Sequence, residues 1–287
     1  GLRINTNVAA LTTSRILRRS TSSLNGSLER LASGLRINRA SDDAAGLAIS
    51  EGFRTVIRGS QVAQRNAQDG ISLLQTAEGA LETTTNMLQR IRELAVQAAN
   101  GTQSVGNRAS LDAEVQQLLE QIDDIAQDTE FNGLRVLSSA QSVTLQAGAQ
   151  PGQTLVITVN GAKTNDIGVN GVNISTVATA VSALSTIDRA LRSVTSLRST
   201  FGAFQNRLEF TISTLAIQEE NSTASDSALR DADIARETIA FTRNQILVSA
   251  GTSVLAQSNV IPQTALQLLG GGNGRTKSIA RAEACLL

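Results

Sequence analysis

The chain has 287 residues, with 25 Lys and Arg balanced by 25 Asp and Glu, so it is not a polyanion binder by overall charge. It contains no His, which excludes Ser–His–Asp triads, Cys–His dyads and His-based zinc sites, and its one Cys, Cys285, excludes an internal disulfide. Aromatic residues make up only 2% (six Phe, no Tyr or Trp), so any core must rest on Leu, Ile, Val and Ala.

Residues 1–40 are locally basic: Arg3, Arg15, Arg18, Arg19, Arg30, Arg36 and Arg39 stand against one acid, Glu29. No apolar run of signal-peptide or membrane length follows, so the reading is of neither a cleaved signal nor a spanning helix. A start at Gly1 fits removal of an initiator Met, and any export is then expected without signal cleavage. Leu17, Leu24 and Leu31 recur every seven residues and predict a helix over 5–31. Residues 33–40 read as a connector. Ser41, Asp42 and Asp43 then supply an N-cap hydroxyl and two carboxylates for the positive end of the next helix.

That helix carries the dominant signal. Positions spaced alternately by three and four from 46 to 98 are apolar at Ile49, Phe53, Val56, Ala63, Ala67, Leu74, Ala77, Leu81, Leu88, Ile91, Ala95 and Ala98. A heptad this long predicts a left-handed supercoil against partner helices. A polar turn over 100–107 leads to a shorter helix with Leu111, Val115, Leu118, Ile122 and Ile125 on its seam. Residues 134–174 break the helical pattern. Val143 and Leu145 alternate with polar residues, and Leu155, Val156, Ile157 and Val159 form a second apolar run. Gln150-Pro151-Gly152 between them predicts one small β-hairpin, followed by a Gly- and Asn-rich loop.

Helical spacing returns at Ala180, Leu184, Ile187, Leu191, Val194, Arg198, Phe201, Gln205, Leu208, Ile212, Leu215 and Glu219. Residues 229–269 form a further amphipathic segment. Leu229, Ala232, Ala235, Ile239, Ile246, Ser249, Ser253, Ala256 and Val260 share a seam, while Phe241, Leu247, Val248, Val254 and Leu255 lie on other faces. A helix apolar on several faces needs burial on several sides, which an array of packed chains provides. Residues 270–287 are Gly-rich at their start and read as a flexible tail.

No catalytic, cofactor-binding or metal-ligating group emerges. The carboxylate pairs Asp42/Asp43, Asp123/Asp124 and Glu219/Glu220 are adjacent on helices or at a helix start, where side chains diverge by ~100° and do not converge on a substrate. The Gly168–Gly171 stretch lacks a phosphate-loop Lys. From composition alone Arg90 and Arg92 read as a solvated helix face.

Several runs are more specific. Asn5-Thr6-Asn7, Ala32-Ser33-Gly34-Leu35-Arg36-Ile37-Asn38 and Asp42-Asp43-Ala44-Ala45-Gly46-Leu47-Ala48-Ile49 resemble the N-terminal signature of bacterial flagellins. So do Gln89-Arg90-Ile91-Arg92-Glu93-Leu94-Ala95-Val96-Gln97 and Glu130-Phe131-Asn132-Gly133. Gly202-Ala203-Phe204-Gln205-Asn206-Arg207 and Ala250-Gly251-Thr252-Ser253-Val254-Leu255-Ala256-Gln257 resemble the family's closing segment. The resemblance spans about 1–135 and 177–269.

It implies a mainly α fold of long antiparallel coiled-coil helices, formed by pairing of the N- and C-terminal segments, with one small β-hairpin region. Residues 1–33 and 229–269 would form an inner coiled-coil domain lining a filament channel, and 34–228 an outer rod domain with the hairpin near 140–160. Self-assembly would use Leu17, Leu24, Leu31, Ile239, Ile246 and Val254. The resemblance also implies a non-enzymatic subunit of a hollow, head-to-tail flagellar filament, exported without a cleavable signal, extracellular, with no cofactor, no nucleic acid and no membrane insertion. Implied partners are further copies of the chain, the flagellar export chaperone and export apparatus, and the filament cap and junction proteins. The flagellin-sensing Toll-like receptor of animal hosts would contact Arg90, Leu94, Gln97 and Glu114, and the cytosolic sensors would read Leu266, Leu268 and Leu269. Two alternatives stay open at this point: a hook–filament junction adaptor, and a coiled-coil signalling hairpin.

Overall fold

The computed structural model describes the backbone of residues 7–283 and the side chains of residues 7–260 and Thr264. Among these residues the helices α1 (Val8–Ser33), α2 (Ala44–Ala98) and α3 (Val105–Asp128) come first. The short strands β1 (Glu130–Phe131), β2 (Leu134–Arg135), β3 (Gln141–Gln146) and β4 (Thr154–Val159) follow. The helices α4 (Val177–Arg230) and α5 (Ile234–Glu283) close the chain. The fold is mainly α with small antiparallel strand pairs, as the periodicity predicts.

The chain divides into two compact units, Gly1–Glu51 with Ser225–Leu287, and Gly52–Ala224. The expected division at residues 33/34 and 228/229 therefore differs, because residues 34–51 and 225–228 group with the ends. Local pairing explains the difference. Arg36 N–H donates to the Arg230 carbonyl at 2.6 Å and Ala232 N–H to the Gly34 carbonyl at 2.9 Å, around a bridge of Leu35 with Asp231. Ser50 Oγ lies 2.5 Å from Asp226 Oδ1.

In the unit Gly52–Ala224, every heptad position of α2 from Ser60 to Ala98 is buried, including the polar Ser60 and Thr84. The other two seams are displaced from expectation. In α3 the buried residues are Val115, Leu119, Ile122 and Ala126, with Leu111 and Leu118 only partly buried. In α4 they are Ala180, Ala183, Ile187, Ala190, Val194, Leu197, Phe201, Leu208 and Leu215. Half of the predicted positions of α4 thus hold (Ala180, Ile187, Val194, Phe201, Leu208 and Leu215), while burial falls one residue earlier than predicted at Ala183, Ala190 and Leu197, in place of Leu184, Leu191 and Arg198. Tight helix packing selects the smaller side chain, whereas apolarity alone favours the larger. Arg198 and Gln205 leave the seam and reach Glu78, at 3.6 Å and 3.1 Å.

The hairpin forms as predicted, with Gln141 opposite Val159 and Gln146 opposite Thr154. It seats on α2 at Gly70, where an added Cβ would overlap Leu145 and come within 3.3 Å of Leu208, so only glycine leaves room. The pair β1–β2 was not predicted. Its two-residue turn is Asn132 (φ 51°) and Gly133 (φ 78°), the left-handed pair that a tight hairpin requires. The loop after β4 is also more than a connector. Thr164 donates to Asp123 from both N–H (2.7 Å) and Oγ1 (2.8 Å), and Ile174 N–H donates to Asp112 at 2.8 Å. Gln116 Nε2 donates to the Val172 carbonyl at 2.9 Å. These bonds lash the loop along α3, and Val169, Val172 and Ile174 join the core.

Arg108 is buried and, among the described residues, has no carboxylate partner. Its Nε donates to the Ala98 carbonyl at 2.8 Å and its Nη2 to the Asn100 carbonyl at 3.2 Å. The cation thus satisfies the negative end of α2 at the turn into α3.

In the terminal unit α1 and α5 pair antiparallel. Asn7 Nδ2 donates to the Ser258 carbonyl at 2.8 Å, Leu17 packs at Gly251, and Arg30 approaches Glu237 at 3.9 Å. The start of α2 corrects one expectation: the N-cap is the Asp43 carboxylate, accepting Gly46 N–H at 2.9 Å, and not the Ser41 hydroxyl. Asp42 instead closes the connector, accepting N–H from Arg39 (3.0 Å) and Asn38 (3.2 Å). Those two bonds, Arg39 first, hold its carboxyl below the ordinary range. The helix α5 starts at Ile234, after Asp233 caps it at Ala235 N–H and Arg236 N–H, and not at Leu229. It runs to Glu283, so residues 270–283, expected as a flexible tail, continue the helix. Extending a nucleated helix costs ~1 kcal/mol per Gly relative to Ala, which does not by itself end it.

Two outcomes follow. Arg108→Met leaves the last carbonyls of α2 unsatisfied and lowers unfolding free energy by about 2 kcal/mol, measured by denaturant titration. The Asp42 contribution has the sign of a depressed carboxyl: complete above about pH 4, lost as pH falls through the folded value. Asp42→Ala is therefore less stable than the parent at pH 7, and the difference in unfolding midpoint closes on acidification.

Candidate interaction surfaces

The helices α1 and α5 turn small residues toward each other. Ser20 and Ser27 of α1 are buried, as is Ser258 of α5. The face of α5 toward α1 carries Glu237, Gly251 and Ser258, so the seam predicted through Ile239 and Ile246 is not the intrachain one. Leu17, Leu24 and Leu31 are half-buried. Ile239 (61% exposed), Ile246 (63%) and Val254 (56%) remain open. The predicted self-assembly residues therefore separate into two groups: three leucines engaged within the chain and three β-branched residues free of it. Around Ile239 and Ile246 lies a shallow apolar groove of about 420 Å³, edged by Thr238, Thr242, Arg243 and Leu247. Val8, Leu11 and Ile16 of α1 are exposed as well.

The second surface lies on α2 and α3. Arg90 donates from Nε to Glu114 at 3.0 Å and from Nη1 to Glu93 at 3.2 Å. These acids, Glu114 first, raise the Arg90 pKa further and keep it charged at any working pH. Arg92 donates to Asp188 of α4 at 2.8 Å. Gln97 is exposed on the same helix. Three of the four predicted receptor contacts, Arg90, Gln97 and Glu114, thus reach the surface, two of them paired. Leu94 does not: it is 1% exposed and belongs to the core cluster. Spacing places Leu94 four residues from Arg90, but the same turn of α2 also faces the core at Ile91 and Ala95. The side chains of Leu266, Leu268 and Leu269 lie outside the described residues.

Among the described residues no group of His, Cys, Asp and Glu is arranged to hold a metal ion, and no helix is long and apolar enough to cross a membrane.

Comparison with known proteins matches both ends of the chain. The model of the bacterial flagellin N-terminal helical region fits residues 4–142, and that of the C-terminal helical region fits residues 184–269. The flagellar filament 33 kDa core protein of Treponema phagedenis is 41% identical over 93% of this chain and 99% of its own length. The flagellin of Bacillus subtilis is 41% identical over 93% of this chain and 100% of its own. The crystal structure of Bacillus cereus flagellin is 34% identical over 53% of this chain and 88% of that one, with a TM-score of 0.46. With both terminal regions present in order and relatives matched along nearly their whole length, the chain belongs to the bacterial flagellin family, the structural subunits of the flagellar filament.

Proposed function

We propose that this chain polymerises head-to-tail into a hollow helical filament for swimming, and that its terminal unit gains lasting order only between neighbouring copies. One observation carries the reading. Among the described residues of the terminal unit, Ile37 is the one large apolar side chain that is fully buried. Fixing the backbone costs ~1–2 kcal/mol per residue, and full burial of a side chain such as Ile or Val returns ~1.5–3 kcal/mol. The pair α1–α5 therefore lacks the internal burial to stand alone, while Ile239, Ile246 and Val254 offer that burial to another copy. Contacts between different patches of identical subunits generate an open helix when the rotation between copies does not close a ring, and a filament needs that geometry.

On this reading α1 and α5 line the channel, and the weak order of the ends suits export of an unfolded chain without signal cleavage, through the export chaperone and export apparatus. The cap and junction proteins meet the same ends. The chain then acts outside the cell and performs no catalysis. Recognition by the flagellin-sensing receptor rests on the exposed Arg90, Gln97 and Glu114, with Leu94 supporting α2 from inside.

Two measurements test this. Helicity by circular dichroism rises by about a fifth or more on polymerisation if the ends order on assembly; equal helicity in monomer and filament overturns coupled folding, and electron microscopy showing no long fibres leaves the junction-adaptor reading in its place. Arg90→Ala with Gln97→Ala lowers receptor signalling by about tenfold or more while the unfolding midpoint is kept. Undiminished signalling removes the recognition surface.

A further inference from the structure

Phe210 is the most conspicuous apolar side chain outside the terminal unit. In a chain with six Phe and no Tyr or Trp, it stands 75% exposed in the middle of α4. A ring this exposed offers a large rigid area for contact with a partner. Arg207, three residues earlier and on the same side of the helix, edges the same groove beside the hairpin turn. Among the described residues the Arg207 guanidinium has no hydrogen-bonding or ionic partner.

The same unit holds a cleft of about 550 Å³ between α4 and the loop after β4. Its walls are mixed: Ala140, Ile167, Val194, Leu197 and Phe204 are apolar, Thr158, Asn160, Ser193, Ser196 and Thr200 carry polar groups, and Asp166 stands at its edge. A volume of ~300–1,000 Å³ takes a whole small ligand, so a phenyl ring fits with room for its flanking helix atoms. The Asp166 carboxylate is exposed and, among the described residues, likewise has no partner. The molecule therefore carries an apolar knob beside an unpaired cation, and a hole walled in part by apolar side chains beside an unpaired anion.

Phe210 follows Phe204 by six residues, so it points ~240° around α4 from that wall of the cleft and about 20 Å along the helix from Leu197. A chain cannot fill its own cleft with its own Phe210. We infer that Phe210 of one copy inserts into the cleft of a neighbouring copy, with Arg207 of the first pairing with Asp166 of the second. Matching charge names the occupant as a second copy of this chain: the ring and cation of the knob complement the hole and anion, and both lie on every subunit. Knob and hole occupy different patches, so the contact is heterologous and can repeat from copy to copy along a filament. The inference rests on the filament reading above and adds a defined contact in the unit Gly52–Ala224, away from the terminal helices.

The test is seeded growth of the full chain, with the monomer concentration left at equilibrium read by sedimentation. Phe210→Ser raises that concentration by about tenfold, with the monomer unfolding midpoint unchanged. Arg207→Asp alone and Asp166→Arg alone each raise it, and the double charge reversal returns it to within about threefold of the parent. Rescue by the double variant cannot arise from a folding defect in either single one. If Phe210→Ser grows like the parent, or the double reversal is no better than its singles, this contact is wrong although filaments still form. If the parent itself grows no filaments, the filament reading fails and this contact with it.

Discussion

Apolar burial is distributed unequally along this chain, and most of the structure depends on that inequality. The large fully buried side chains, from Leu74, Leu81 and Leu88 through Ile122 and Ile157 to Ile187 and Phe201, belong to one contiguous core within Gly52–Ala224. The terminal unit has Ile37 and a set of buried serines. Since conformational entropy is lost by every ordered residue while burial returns free energy only where apolar area is removed from water, the two units stand on different terms. One unit folds on its own contacts. The other pairs two helices, α1 and α5, that bury little apolar area between them.

The small residues that make the terminal pairing weak make the central packing tight. Along α2 and α4 the buried seam is repeatedly alanine: Ala63, Ala67, Ala77, Ala95 and Ala98 on one, Ala180, Ala183 and Ala190 on the other. Small side chains let helices approach closely, and dense contact then depends on register rather than on bulk. The hairpin obeys the same rule, since Leu145 occupies the space left at Gly70. Polar groups that close packing buries receive partners: Arg108 from the carbonyls ending α2, and the strap after β4 from Asp112 and Asp123.

Function follows from what this packing leaves outside. In a monomer that worked alone, Ile239, Ile246, Val254 and Phe210 would each sit poorly in water; in a polymer each is contact area awaiting a neighbour. The ion-paired surface around Arg90 differs in kind. Its charges are already satisfied within the chain by Glu93 and Glu114, so a partner there must exchange one set of hydrogen bonds for another.

Much of this was legible in the residues alone. The sustained heptad of α2 and the Pro-Gly turn of the hairpin determined a mainly helical chain with one small hairpin, and the absence of His removed His-based triads and zinc sites, because periodicity and residue types are local properties that need no coordinates. Family resemblance added which ends pair. Tertiary structure alone decided which of two adjacent apolar residues faces the core: Ala183 over Leu184, Ala190 over Leu191, and Leu94 inside while Arg90 and Gln97 stay out. It also turned a Gly- and Asn-rich loop into a hydrogen-bonded strap and left Ile239, Ile246 and Val254 exposed, with the α1-facing side of α5 running instead through Glu237, Gly251 and Ser258. The reason is physical: apolarity records a preference for burial, while the distance between packed backbones, which no single segment encodes, selects the side chain that fits.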